Sequence, residues 1–226
     1  RSRKRDSGAV RRPWSKTSSS LQEQLAVNYT RPFGVLRPVD EIALLAHRYM
    51  HEFGATRDHL ANVALSQRRY ANNNPDAQMY ETKMSREDYM ASRWISRPLC
   101  LYDNCLETDG ALAAVVVSAE HARDCKQQPV FIHTWAQGFH HQHQTMQNFF
   151  CDDPLQGPSW VTARQLYRQS DIQAQDIDVA QIYDAFTPLI LLSLEGYGFC
   201  ARGEGAAFTE NGNLELDGDL PVNTSG

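Results

Sequence analysis

Apolar positions along the chain change their period once, near Gly110, and the change separates two kinds of structure. Before it the spacing is helical. After Pro38, the residues Ile42, Leu45, Ala46, Tyr49 and Phe53 fall on one helix face, and Gly54 follows as a good C-terminal stop. Thr56 stands where a second helix would be capped. Leu60, Val63, Ala64 and Gln67 recur along that helix until Asn72, Asn73, Asn74 and Pro75 end it. Ser85 with Asp88 three residues on opens a third, short helix through about Arg93, a loose match to a capping box. Residues 39–93 are therefore expected to be mostly helical and to lie outside any sheet.

From Gly110 the pattern is that of strands. The run from Ala111 to Val117 is continuously apolar, small and β-branched, as in a strand buried on both faces. Ser118 caps a helix of about two turns, and residues 129–135 give a second strand. A polar loop over 138–156 leads to a helix from Pro158 to Ser170, with proline in its first turn. Residues 177–183 read as a third strand and Phe186 to Tyr197 as an apolar helix, after which closely spaced glycines mark turns. Strands 111–117, 129–135 and 177–183 are predicted to sit in buried mixed sheets. This order of elements is α/β.

Composition narrows the function classes. The chain has 226 residues, 42% of them hydrophobic, and a net charge of -5, so nothing global points to nucleic acid or an anionic membrane. No apolar run approaches the ~20 residues needed to cross a bilayer. Cys100, Cys105, Cys125, Cys151 and Cys200 are odd in number and irregular in spacing, which suits reduced thiols and a cytoplasmic setting. The sequons at Asn28 and Asn223 are read as chance. The first residues are neither an initiator Met nor a signal peptide, and the last run from strand to turn. The sequence is read as a fragment.

Few clusters carry chemistry. His140, His141 and His143 lie in a polar loop with no carboxylate or cysteine at ligand spacing, so no metal is expected. Cys125 and Cys200 lack a nearby helix N-terminus or histidine at fixed spacing, and read as structural thiols. Asp109 before Gly110 and Ala111 is, by itself, a turn. Tyr183-Asp184-Ala185-Phe186-Thr187 says more: two ionisable groups and a hydroxyl stand where a strand hands over to an apolar helix. Ligands of open α/β sheets bind at such strand ends. The same residues also fit a capped helix start, with Asp184 or Thr187 as the cap and Tyr183 as a core aromatic.

In order and spacing, these segments resemble the thiolase superfamily, in the branch of the sterol-carrier-protein and lipid-transfer-protein thiolases. The resemblance rests on Arg48-Tyr49-Met50-His51-Glu52-Phe53-Gly54, Asn74-Pro75, Ser92-Arg93-Trp94-Ile95, Pro98-Leu99, Thr108-Asp109-Gly110-Ala111-Leu112-Ala113 and Asp178 to Phe186. The closing Val222-Asn223-Thr224-Ser225-Gly226 resembles the start of the family's glycine-rich turn. It implies an α/β, five-layered fold of two related βαβαβαββ halves, here as a fragment, with a mostly helical loop domain over the CoA. Residues 1–95 would be the end of the first half plus the loop domain, 96–156 its last strands and a connecting loop, and 157–226 the start of the second half. The basic opening (Arg1, Arg3, Lys4, Arg5, Arg11, Arg12) would meet CoA phosphates or simply face water.

Two departures from the family pattern direct the chemistry. The nucleophilic cysteine of true thiolases belongs to a loop that would precede Arg1, so none of the five cysteines inherits it. Classical thiolases read Asn-Glu-Ala-Phe, and the sterol-carrier branch His-Asp-Cys-Phe, where this chain has Tyr183-Asp184-Ala185-Phe186. Together with Gly198-Phe199-Cys200 and Arg202-Gly203, that tyrosine resembles thiolase-like aldolases that remove steroid side chains. Retro-aldol cleavage of a β-hydroxyacyl-CoA needs a base for the hydroxyl proton and a donor for the enolate, and no covalent acyl-enzyme. The resemblance implies Tyr183 as acid/base with Asp184 supporting it, CoA as part of the substrate, no covalently bound cofactor, a homodimer, and a small zinc-ribbon/OB-fold partner. The alternatives are a thiolase that cleaves β-ketoacyl-CoA and a noncatalytic acyl-CoA or lipid-binding subunit.

Overall fold

In the computed structural model of the chain, residues 30–108, 110–140, 146 and 148–226 are described. The basic opening stretch, Asp109, His141 and His143 lie outside them. Helix α1 (Pro38–Phe53) stops at Gly54, which takes φ +69 and donates its N–H to the Met50 carbonyl at 3.0 Å. Helix α2 (Arg57–Asn73) starts at Thr56, whose N–H donates to His59 Nδ1 at 2.9 Å. Helix α3 (Arg86–Ala91) has the capping box in full. Ser85 N–H donates to Asp88 Oδ2 at 2.9 Å, and Asp88 N–H donates back to Ser85 Oγ at 3.1 Å.

The remaining elements are β1 (Trp94–Ser96) and β2 (Leu99–Cys100), an antiparallel pair, and a 3-10 turn over Leu101–Asp103. They are followed by α4 (Ala119–Ala122), α5 (Pro158–Gln169), α6 (Thr187–Gly196) and α7 (Gly205–Phe208). The helical expectation for 39–93 holds, interrupted only by turns. Helix α4 is one turn long instead of two.

Helix α6 is the centre of the packing, touching α1, α2, α5 and α7. It is apolar on nearly every face, and a helix of that kind is stable only when surrounded. Ile190, Leu191 and Leu194 are fully buried, each contributing roughly 1.5–3 kcal/mol. The α1 face of Ile42, Leu45, Ala46 and Tyr49 and the α2 face of Leu60, Val63 and Ala64 join the same core, which extends to Leu214, Leu220 and Val222.

The strand expectations need correction. Residues 111–117 and 129–135 form no ladder among the described residues, and Leu112, Val115, Val130 and Phe131 are largely exposed. Over 177–183 the only pairing among the described residues is one parallel bridge, Ala180 with Val222. The reason is physical: a run of β-branched apolar residues states a need for cover, and a strand exists only beside a partner that satisfies its N–H and C=O groups. Period alone does not supply that partner. The stretch before the candidate site also differs from a strand buried on both faces. Ala180, Ile182 and Asp184 turn inward while Gln181 and Tyr183 are exposed, a one-faced alternation.

Candidate active site

Hydrogen bonds on both sides fix the backbone that carries Tyr183 and Asp184. Ala180 N–H donates to Pro221 O at 3.0 Å, and Asn223 N–H donates to Ala180 O at 2.9 Å. Next along, the Asn223 side chain takes over from the backbone. Ile182 N–H donates to Asn223 Oδ1 at 2.7 Å, and Asn223 Nδ2 donates to Ile182 O at 2.8 Å. On the far side, Cys105 N–H donates to Ala185 O at 3.0 Å, and Asn104 bridges antiparallel to Phe186. Tyr183 and Asp184 are therefore held from both sides.

The alternation sends the two side chains different ways. Asp184 lines a cleft of about 500 Å³ whose walls include Arg68 and Ala71 of α2, Met79, Tyr102 and Cys105. Burial pushes its carboxyl above the usual carboxylate range, opposed by its own backbone and by the Asn223 amide. Ile182 lines a second, apolar cleft of about 400 Å³ with Phe131, Leu166, Tyr197 and Phe199. Tyr183, between them, lines neither cleft and is 79% exposed.

Neither candidate is a helix cap. The N-cap position of α6 is Phe186, with no side-chain cap, and Thr187 instead donates its hydroxyl to Asp103 Oδ1 at 2.6 Å. The capped-start reading of Asp184 and Thr187, and the core-aromatic reading of Tyr183, are both corrected by this geometry.

Burial keeps three of the cysteines unactivated. Burial, then the Asp184 charge, raises the Cys105 thiol, and burial with Asp103 raises Cys100. Burial with Glu195 and Glu204 pushes Cys200 up to about 12. Such thiols stay protonated and are poor nucleophiles. Cys151 is buried with its sulfur 3.0 Å from His140 Nδ1, a contact that reading the two as loop residues did not anticipate. Among the described residues, no group of three or more His, Cys, Asp or Glu is placed to hold a metal ion. No helix of those residues is long and apolar enough to cross a membrane.

Sequence reasoning missed two buried carboxylates, of which Asp103 is tied to the start of α6 next to the site. Asp103 accepts from the Tyr89 hydroxyl at 2.6 Å and the Cys100 N–H at 2.7 Å, besides Thr187. Glu195 accepts from the Tyr49 hydroxyl and from Gly205 N–H at 3.0 Å. Buried acids inside otherwise apolar stretches were the available signal, because carboxylates are almost never buried without partners. The glycines after Tyr197 also gain a reason. Gly203 adopts φ +88 with the Phe53 ring against it, where an added Cβ would sit 2.5 Å from a ring carbon.

Comparison with known proteins agrees with this architecture. The family described as "Thiolase C-terminal domain-like" matches residues 138–226. The chain is 43% identical over 205 residues to a steroid side-chain-cleaving aldolase of Thermomonospora curvata, covering 90% of this chain and 52% of the relative. It is 42% identical to the 17-hydroxy-3-oxo-4-pregnene-20-carboxyl-CoA lyase of Mycobacterium tuberculosis, covering 88% of this chain and 52% of that one. A solved structure described as "Ltp2-ChsH2(DUF35) aldolase" superposes with a TM-score of 0.87 at 41% identity, covering 93% of this chain and 56% of the other. The chain thus spans about half the length of the curated relatives it matches. With an α/β thiolase-like fold and relatives of this identity on both sequence and structure, the chain is similar to part of a thiolase-superfamily protein.

Proposed function

We propose that this chain is part of an acyl-CoA carbon–carbon lyase that cleaves a β-hydroxyacyl-CoA of the steroid side-chain type by a retro-aldol reaction. The observation that carries the proposal is the identity of 42–43% to an aldolase and a lyase over about nine-tenths of this chain. The stretch Tyr183-Asp184-Ala185-Phe186 supplies residues suited to that chemistry at a fixed turn beside a cleft.

In this reading, the cleft beside α2 receives the thioester end of the substrate. Tyr183 takes the proton of the β-hydroxyl. The Cα–Cβ bond breaks, the β-carbon leaves as a carbonyl, and the electron pair passes to the thioester as an enolate that is then protonated at Cα. The phenol takes the β-hydroxyl proton as it gives its own to a second acceptor, so its hydroxyl acts as a proton shuttle. Asp184, one residue on and half-buried, supports that step from the cleft side. The exposure of Tyr183 leaves its hydroxyl accessible to a substrate bound beside it. CoA enters as part of the substrate, and no covalent acyl-enzyme is required.

The description of the solved relative names two components, which supports assembly of this chain with a partner subunit; in this proposal that partner is a small zinc-ribbon/OB-fold protein. A homodimeric core and a cytoplasmic setting complete the proposal. The test is to supply the full-length enzyme with a β-hydroxyacyl-CoA in the absence of free CoA. Release of the carbonyl product and the shortened acyl-CoA supports the lyase. Turnover of β-ketoacyl-CoA alone, and only with free CoA, would replace it with a thiolase.

A further inference from the structure

We infer that Asn223 is the positioning residue of the site: its side-chain amide substitutes for a peptide group and fixes the chain immediately before Tyr183 and Asp184. The inference rests on the reading of that pair as the reacting groups. Three observations carry it.

First, the backbone pairing between 180 and 222 consists of a single bridge, and it ends one residue short of where the site needs support. Second, the Asn223 amide continues the pairing. Its oxygen accepts from Ile182 N–H at 2.7 Å and its nitrogen donates to Ile182 O at 2.8 Å, the donor–acceptor pattern of a third ladder residue. The amide group carries one acceptor and two donors in a plane, which neither a carboxylate nor a hydroxyl reproduces. Third, Asn223 adopts φ +56, a left-handed conformation in which asparagine is among the few residues found routinely besides glycine. That conformation turns the chain so that the side chain, in place of the next peptide, faces Ile182. Burial raises the Asp184 carboxyl, and the Asn223 amide opposes that rise.

The anchor itself is stiff. Val222 is fully buried and donates its N–H to Leu214 O at 3.1 Å. Thr224 Oγ1 accepts from Gln181 Nε2 at 3.0 Å, and Ser225 O accepts from Asn74 Nδ2 at 2.8 Å. Asn223 thus ties the site to the core on one side and to the end of α2 on the other.

The prediction concerns ionisation as well as geometry. The ionisable groups facing Asp184 are the Cys105 thiol on the 3-10 side and, across the cleft, the Tyr102 phenol and the Arg68 guanidinium, which donates to Thr82 O at 2.9 Å. Asn223→Asp alters none of these. It keeps the acceptor for Ile182 N–H, but sets a second carboxylate against both Ile182 O and Asp184. Like charges sharing a site raise the pKa of one of them. The acidic limb of the kcat/KM profile should move to higher pH, because ionised Asp184 is then reached only at higher pH.

The decisive experiment pairs activity with a direct titration. In the full-length enzyme, the carboxyl of Asp184 is titrated by isotope-edited infrared spectroscopy, with Asp184→Asn identifying its band, in the native protein, Asn223→Asp and Asn223→Gly. Glycine accepts φ +56 without strain, so the last variant removes the amide and leaves the turn. The expected result is a higher Asp184 pKa in both variants, more so in Asn223→Asp. In Asn223→Gly, kcat should fall by about tenfold or more, with KM for the acyl-CoA within about twofold. An Asp184 titration unchanged in both variants overturns the inference, whatever the activity. If the native enzyme cleaves no β-hydroxyacyl-CoA, the functional reading fails, and the titration still decides the role of Asn223.

Discussion

The hydroxyl of Thr187, the first residue of α6, donates to Asp103 Oδ1 at 2.6 Å, joining the start of the most buried helix to a turn 84 residues earlier. Asp103 is almost entirely buried and accepts two further hydrogen bonds, from Tyr89 and from the Cys100 N–H. Burial, then the Asp103 charge, raises the Tyr89 phenol well above its usual range, so it remains a donor at every physiological pH. Replacing Asp103 with Ala leaves three buried donors without an acceptor. Stability should fall by about 3–5 kcal/mol, against about 1 kcal/mol for Thr187→Val, which removes a single donor. Denaturant midpoints of the two variants check this. A loss under about 1 kcal/mol for Asp103→Ala would show that the network contributes little.

Gly205 begins α7 where an added Cβ would sit 2.5 Å from Leu191 O and 2.9 Å from Glu195 Oε1. Leu191 O is backbone of the central helix and cannot yield cheaply. Gly205→Ala should therefore separate α7 from α6, costing about 1–3 kcal/mol and breaking the Glu195 contact to the Gly205 N–H. A thermal transition unchanged from the native protein would show that the two helices can part without penalty.

Asp184 links function to stability through pH. Its folded-state pKa lies above the unfolded value, so the folded state binds the proton more tightly. That contribution is present below the unfolded value of about 3.9 and is lost as pH rises through the folded pKa. Ionised Asp184 is thus a cost at neutral pH. Asp184→Asn should raise the thermal midpoint relative to the native protein more at pH 7 than at pH 4. Equal changes at the two pH values would contradict the assigned burial.

Much of this architecture is legible in the sequence where the signal is local. The stripe Ile42, Leu45, Ala46, Tyr49, Gly54 as a stop, and the Ser85–Asp88 pair each depend on neighbours a few residues away, and each appears as expected. The strands at 111–117 and 129–135 depend on partners that no local pattern names, and there the expectation fails. At the site, the Tyr183-Asp184 pair is visible as polar residues at an apolar boundary. The division of the two, Tyr183 exposed and Asp184 in the cleft, follows from a one-faced alternation over 180–184. Asn223 reads as a chance sequon or a turn residue until the fold brings it to Ile182, 41 residues away. Long-range hydrogen bonds leave no periodic trace.

The central claim is that Tyr183 moves the proton in carbon–carbon bond cleavage, and Tyr183→Phe isolates it. The substitution keeps the ring and removes only the hydroxyl of a side chain that is 79% exposed, so folding and CoA affinity should be unchanged. The direct measurement is kcat for cleavage of a β-hydroxyacyl-CoA by the full-length enzyme, native against Tyr183→Phe, with Asp184→Asn alongside. The account predicts a fall of about 10²–10⁴-fold for Tyr183→Phe, and a smaller one for Asp184→Asn. Near-full activity in Tyr183→Phe, with the large loss in Asp184→Asn, would contradict it and give the proton transfer to the carboxylate in the cleft.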